Sequence, residues 1–221
     1  GERQASTMNS KCAWWLAPVA GLAAAAFTPV VLRAPKPAMN LPRDVRDLHE
    51  ALEDCLESRL DGWELVDFAT RLVNEKFTRY SVWHLWENSG LAFKNSRGFS
   101  EQYNLGLARV LSGLGYDVQA VHARHVHFDP ERPGTESWRN GHTWLRVSYR
   151  GETLDVCASR AGHRAGKVSF MPLSDPRPVH FWTGGLIRLG LAGPVTYEVW
   201  KSWLSGRPVP RWVFRGFHDR G

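Results

Sequence analysis

Cysteine is scarce: Cys12, Cys55 and Cys157 are the three in 221 residues. An odd number with no CxxC spacing excludes a disulfide-stapled secreted scaffold and a structural zinc knuckle, and it suits a reducing compartment. A cytoplasmic setting is therefore the first expectation. Long hydrophobic runs are also rare, with a single one at residues 12–32. Low-complexity tracts and internal repeats are missing, which excludes collagen, coiled coil and wholesale disorder. With 43% hydrophobic residues, the chain has material for one ordinary core without help from a metal or cofactor.

A charged stripe is lacking as well. The net charge of +6 invites a nucleic-acid reading, but its location argues otherwise. Arg3, Lys11, Arg33 and Lys36 against Glu2 leave residues 1–38 at +3, and Arg207, Arg211, Arg215 and Arg220 against Asp219 do the same for residues 206–221. Residues 39–205 are neutral. A neutral body with basic ends does not track phosphates, so nucleic acid is excluded as a partner.

Three regions follow: an N-terminal extension over 1–38, a globular domain over 39–205 and a basic tail over 206–221. Within the first, the uncharged run 12–32 has the length of a membrane span or a signal segment. Pro18, Gly21, Pro29 and the alanine content weigh against a stable span, and no small-x-small cleavage site precedes Arg33. The run reads as a disordered extension or signal ahead of an anchor, with membrane contact or export as the alternative. Met39 as a functional start, preceded by a Pro-rich linker at 33–37, is a third reading.

Helical periodicity occupies residues 42–59, with Val45, Leu48, Leu52, Cys55 and Leu56 on one face. It returns over 63–77 and again over 101–114, which ends at Gly115. Strand alternation takes over at 116–128, 142–149 and 152–158, the last two joined by the tight turn Arg150-Gly151 into an antiparallel hairpin. Residues 186–203 form a further apolar, helix-like stretch. Helices before strands imply α+β architecture with a mostly antiparallel sheet, not a βαβ nucleotide fold.

Three short segments carry chemistry: 97–104 (RGFSEQYN), 141–144 (GHTW) and 154–157 (LDVC). Gly98 permits a sharp entry, so Ser100 stands at a helix N-terminus, where free amides and the helix dipole favour negative charge. His142 and Asp155 lie on adjacent strands with a turn that can set them side by side. A nucleophile at a helix start, an imidazole and an orienting carboxylate are the parts of an acyl-transfer site. Asn104, one turn beyond Ser100, can buttress it, Gln102 can cap a neighbouring segment, and Trp144 shares a face with His142. Trp83, Trp86 and Trp138 read as groove-lining or edge-sealing aromatics. Cys157 and Cys55 read as small core hydrophobes. Of His122, His125 and His127, the last two share a strand face but lack a placed third ligand, so no metal is expected.

In this order the segments resemble the transglutaminase-like superfamily, in particular its bacterial branch, which shares its layout with arylamine N-acetyltransferases and papain-like proteases. The resemblance covers roughly residues 63–170 and implies a papain-like core with helices packed on a mostly antiparallel sheet. It implies acyl chemistry on a peptide, amide or acyl small molecule, by hydrolysis or transfer to an amine, without a cofactor. Carried over, His142 is the base and Asp155 its orienter. The family's cysteine is replaced by Ser100, and a serine cannot be stored ionised as a thiol can. Three alternatives stay open: a serine-using or weakened enzyme, a catalytically inactive binding module, and a cysteine replaced by design.

Overall fold

A computed structural model describes residues 8–37, 45–128, 136–137 and 141–219, with backbone alone for 8–16, 136–137 and 181–183. The predicted α+β architecture is present. Among the described residues there are six helices and ten short strands, and every strand pairing but one is antiparallel.

The first core gathers on three helices. α2 (Leu48–Glu57) starts later than the periodicity suggests because the Asp47 carboxylate caps it, accepting from the amides of His49 and Glu50. This leaves Val45 as the buried residue that leads into it. α3 (Gly62–Lys76) buries Leu65, Val66, Ala69, Leu72 and Val73 at three- and four-residue spacing, the stripe of a core-facing helix. α5 (Ser100–Gly113) runs through the centre and buries Tyr103, Leu107, Val110 and Leu111. Beside them Phe77, Phe93, Tyr103 and Phe217 meet largely edge to face, and buried Lys76 donates to the Val45 carbonyl at 2.6 Å.

The main sheet has the order β7-β6-β3-β9. β6 (His142–Tyr149) and β7 (Glu152–Val156) form the expected hairpin, with Tyr149 opposite Glu152 and Leu145 opposite Val156. Both turn residues have positive φ, Arg150 at 50° and Gly151 at 84°, the geometry that matches strand twist in a two-residue hairpin. β3 (Asp117–Ala123) pairs with β6 along its whole length, and β9 (Arg177–Pro178) closes the edge. The single strand expected over 116–128 is broken at Arg124-His125. Its second part, β4 (Val126–Phe128), joins β5 (Glu136–Ser137) and β8 (Phe170–Pro172) in a separate small sheet.

The segments read as an extension and a tail both enter the fold. Residues 8–32 form one helix, α1 (Met8–Leu32). Its last turns join a second core of Val30, Val82, Trp83, Phe99, Val195 and Val199, under α6 (Phe181–Ser205). The indole of Trp83 donates to the Val30 carbonyl, and that of Trp200 to Ala26. The Pro35 carbonyl takes Arg97, whose guanidinium is paired with buried Glu87. At the other end β10 (Phe214–Gly216) pairs with β1 (Arg79–Ser81), which also runs parallel to β2 (Arg97–Gly98). α4 (Ser89–Lys94), capped by Asn88, supplies the short helix in the aromatic-rich stretch before β2. Among the described residues no helix is long and apolar enough to cross a membrane.

Candidate functional site

The site is assembled where the start of α5 meets the first residues of β6 and the end of β7. Gly141 sets the entry to β6. Its φ is +56°, and a Cβ there would collide with the Ala123 carbonyl, so the chain turns into His142 only with glycine at this point. Ser100 is the first residue of α5 and 6% exposed. Its helix follows Phe99, which has no side-chain acceptor, so the first-turn amides are not taken by a capping side chain. Gln102 holds the approach instead: its Oε1 accepts from Phe99 N, and its Nε2 donates to the carbonyls of His84 and Glu87.

Asn104 ties the helix to both strands. Its Nδ2 donates to the Thr143 carbonyl at 2.6 Å, and its Oδ1 accepts from Ala158 N at 3.0 Å. The side chain one turn after Ser100 is thereby bonded to the residue that follows His142. Nδ2 also lies 3.5 Å from Cys157 Sγ.

His142 is 3% exposed, and its Nε2 lies 3.2 Å from Cys157 Sγ. The ring stacks on Trp144 at an interplanar angle of 14° and meets the edges of Phe128 and Phe170. Burial in this apolar cage, aided by the nearby His163, His122 and Arg160, pushes its pKa down to about 3. The imidazole is therefore neutral at pH 7. Burial acts on Cys157 in the opposite sense and raises the thiol, against hydrogen bonds from Ser159 and Asn104. The pair is thus a neutral thiol beside a neutral ring, not a thiolate–imidazolium pair. From Cys157 contacts continue to Ser159 Oγ at 3.1 Å. The buried His163 takes up the Cys157 carbonyl and Ser169.

Asp155 stands elsewhere from where the sequence put it. The hairpin register sets it opposite Arg146, four residues past His142 on β6, roughly 13 Å along a strand at about 3.3 Å per residue. Its Oδ1 accepts from Trp144 Nε1 at 2.9 Å and lies 3.6 Å from Arg146 Nε. Asp155 therefore reaches the imidazole only through Trp144, as the support of the ring on which His142 stacks. Among the described residues no hydrogen bond joins Ser100 to His142 or Asp155 to His142; helix start and imidazole share a corner of the fold. The residue that sequence reasoning set aside is Cys157. It is buried, as a core cysteine should be, and it is also the neighbour of the imidazole.

The remaining candidates fall outside this corner or into its walls. His122 contacts Thr143 Oγ1 at 2.9 Å, and burial lowers its pKa to about 4. Trp83 is buried in the second core, Trp86 is 40% exposed against Phe27, and Trp138 lies outside the described residues.

No family model and no curated protein matches the chain. Among solved structures, a crystal structure from Cytophaga hutchinsonii, provisionally named a cysteine protease, aligns with a TM-score of 0.37 and 12% identity. The alignment covers 63% of this chain and 51% of that one, so the match spans about half the length of the solved protein. The α+β description rests on this chain's own elements.

Proposed function

We propose that the corner between α5, β6 and β7 performs acyl chemistry on an amide or acyl substrate, by hydrolysis or by transfer to an amine. Ser100 attacks the carbonyl and His142 takes its hydroxyl proton. The carbon–nitrogen bond breaks and the proton passes to the leaving amine. Water or a second amine then releases the acyl group. The uncapped first-turn amides of α5 hold the oxyanion, and no cofactor enters the scheme. The observation that carries this reading is the Asn104 tether, which bonds the turn following Ser100 to the residue following His142. Cys157 lies against Nε2 of the ring, which leaves Nδ1 to take the proton. A neutral imidazole can accept a proton, but one with a pKa of about 3 is a weak base, so the expected rate is low.

A fluorophosphonate or activated acyl ester tests the assignment, with the adduct located by peptide mass spectrometry. Label on Ser100, lost in Ser100→Ala and in His142→Gln, is the expected outcome. Label on Cys157 in the native protein overturns Ser100 as the nucleophile. Absence of any label favours the second reading, a non-catalytic binding module. The diversion of Asp155 to Trp144 and Arg146 supports that second reading, because it leaves the imidazole without a carboxylate.

A further inference from the structure

Soluble helices bury one face, but part of α1 does not. Residues 17–26 are exposed without interruption, and all are uncharged (APVAGLAAAA). Val19 is 64% and Leu22 73% exposed. Only from Phe27 onward does the helix enter the second core. Ten residues at about 1.5 Å each project roughly 15 Å from the body, about half the ~30 Å hydrocarbon thickness of a bilayer.

The base of this projection has a different composition. Where α1 meets the end of α6, Trp200 donates to the Ala26 carbonyl, Trp203 meets Trp200 edge to face, and the Arg33 guanidinium lies 5.4 Å over the Trp203 ring. Leu32 and Leu204, 78% and 83% exposed, flank this aromatic base. Exposed Lys36, Arg207 and Arg211 lie on the segments that leave the two helices. Glu198 is the acid on this stretch of α6, and it is paired with Lys201. Arg33 and Lys36 after α1 and Arg207 and Arg211 after α6, separate in sequence, thus belong to one pole. An apolar projection with tryptophan and arginine at its base matches the depth profile of a lipid leaflet: hydrocarbon, then the amphipathic interface, then anionic headgroups.

We propose that α1 enters a bilayer bearing anionic lipid, with the Trp200–Trp203–Arg33 base at headgroup level and the α5–β6–β7 corner held above the membrane surface. The assignment stands independently of the acyl chemistry. The occupant is lipid and not a second copy of the chain because positive charge surrounds the base, and two such poles would repel.

Flotation of the full chain with phosphatidylcholine vesicles, with and without phosphatidylserine, tests it. The expected result is flotation with both, strengthened by phosphatidylserine and weakened by salt. Leu22→Glu, at an exposed position, abolishes flotation while leaving the thermal melt unchanged. Arg33→Gln and Arg207→Gln each lower binding to the anionic vesicles about fivefold, the ratio for about 1 kcal/mol per surface charge. Failure to float with either vesicle overturns the proposal, as does a dimer in sedimentation that Leu22→Glu disperses.

Discussion

Cys157→Asp is the perturbation that interrogates the site most directly. The thiol lies 3.2 Å from His142 Nε2, so an aspartate on the same backbone brings a carboxylate to about 4 Å from the ring. With an effective dielectric of about 20, two unit charges at that distance attract by about 4 kcal/mol, worth roughly 3 pKa units. His142, held at about 3 in the wild type, should then titrate near 6. The ring nitrogens, followed by two-bond proton–nitrogen correlation spectra across pH, report the midpoint directly. The same change should raise acyl turnover, because a base nearer the working pH accepts the Ser100 proton more readily. Cys157→Ser controls for size and leaves the midpoint near its wild-type value. If folded Cys157→Asp protein keeps its His142 midpoint near 3, the geometry argued for Nε2 is refuted. If the variant does not fold, Cys157→Asn still serves. It places a neutral amide in reach of the ring and should move the midpoint by far less.

Three further outcomes follow from the same contacts. Asp155→Ala removes the acceptor of the Trp144 indole and should cut turnover about tenfold (roughly 1.4 kcal/mol) by loosening the surface on which His142 stacks. Asp155→Asn, whose oxygen still accepts, should restore most of it, whereas an equal loss in both variants indicates that the carboxylate charge matters. Asn104→Ala leaves the Thr143 carbonyl and the Ala158 amide unpaired in the interior and should cost about 3 kcal/mol in urea melts. A loss under 1 kcal/mol argues that the helix start is held by packing alone. Burial depresses four histidines, His84 and His142 to about 3 and His122 and His163 to about 4. Below the unfolded value of about 6.5 the unfolded chain binds more protons than the folded one, so stability falls with pH from there toward 3. Near pH 5.5 each group accounts for about 1.4 kcal/mol. Together they should lower the melting temperature markedly between neutral pH and that point, and a flat profile contradicts neutral burial.

Much of the fold was legible because periodicity and turn chemistry are local. α3, α5, β6 and the Arg150-Gly151 turn all follow from apolar spacing and from residues that tolerate positive φ. The errors arose where a side chain or a distant partner decides. The early turn expected before Leu48 is cut off by the Asp47 cap, a signal present in the sequence but overridden by the apolar Val45. The break at Arg124-His125 depends on β4 finding partners in β5 and β8, which lie in other parts of the chain. α1 lacks a polar face, so its helicity could not be read from alternation of character. Its order comes from the last two turns, which dock under α6, and from the carbonyls of Ala26, Val30 and Pro35, which accept from Trp200, Trp83 and Arg97.

The site shows a subtler boundary between what sequence offers and what was read from it. Ser100 at a helix start, His142 at a strand start and Trp144 on the face of the imidazole are each placed by local pattern. The side-by-side placing of Asp155 and His142 rests on the turn at 150–151, yet that same hairpin, counted residue by residue, argues against it. A two-residue turn at 150–151 fixes Tyr149 opposite Glu152, and counting back sets Arg146 opposite Asp155 and Trp144 opposite Cys157. Side chains on one face recur every second residue, so beyond the end of β7 the same-face neighbours of His142 are Ser159, opposite it, and Cys157, diagonal to it and 3.2 Å from its Nε2. Moving Asp155 into the place that Cys157 holds would need a two-residue slip of register, which the two-residue turn at 150–151 forbids. The neutral thiol at Nε2 is thus a consequence of strand geometry. Recovering a carboxylate there requires substitution at 157, which is why that position, and not 155, governs how strong a base His142 can become.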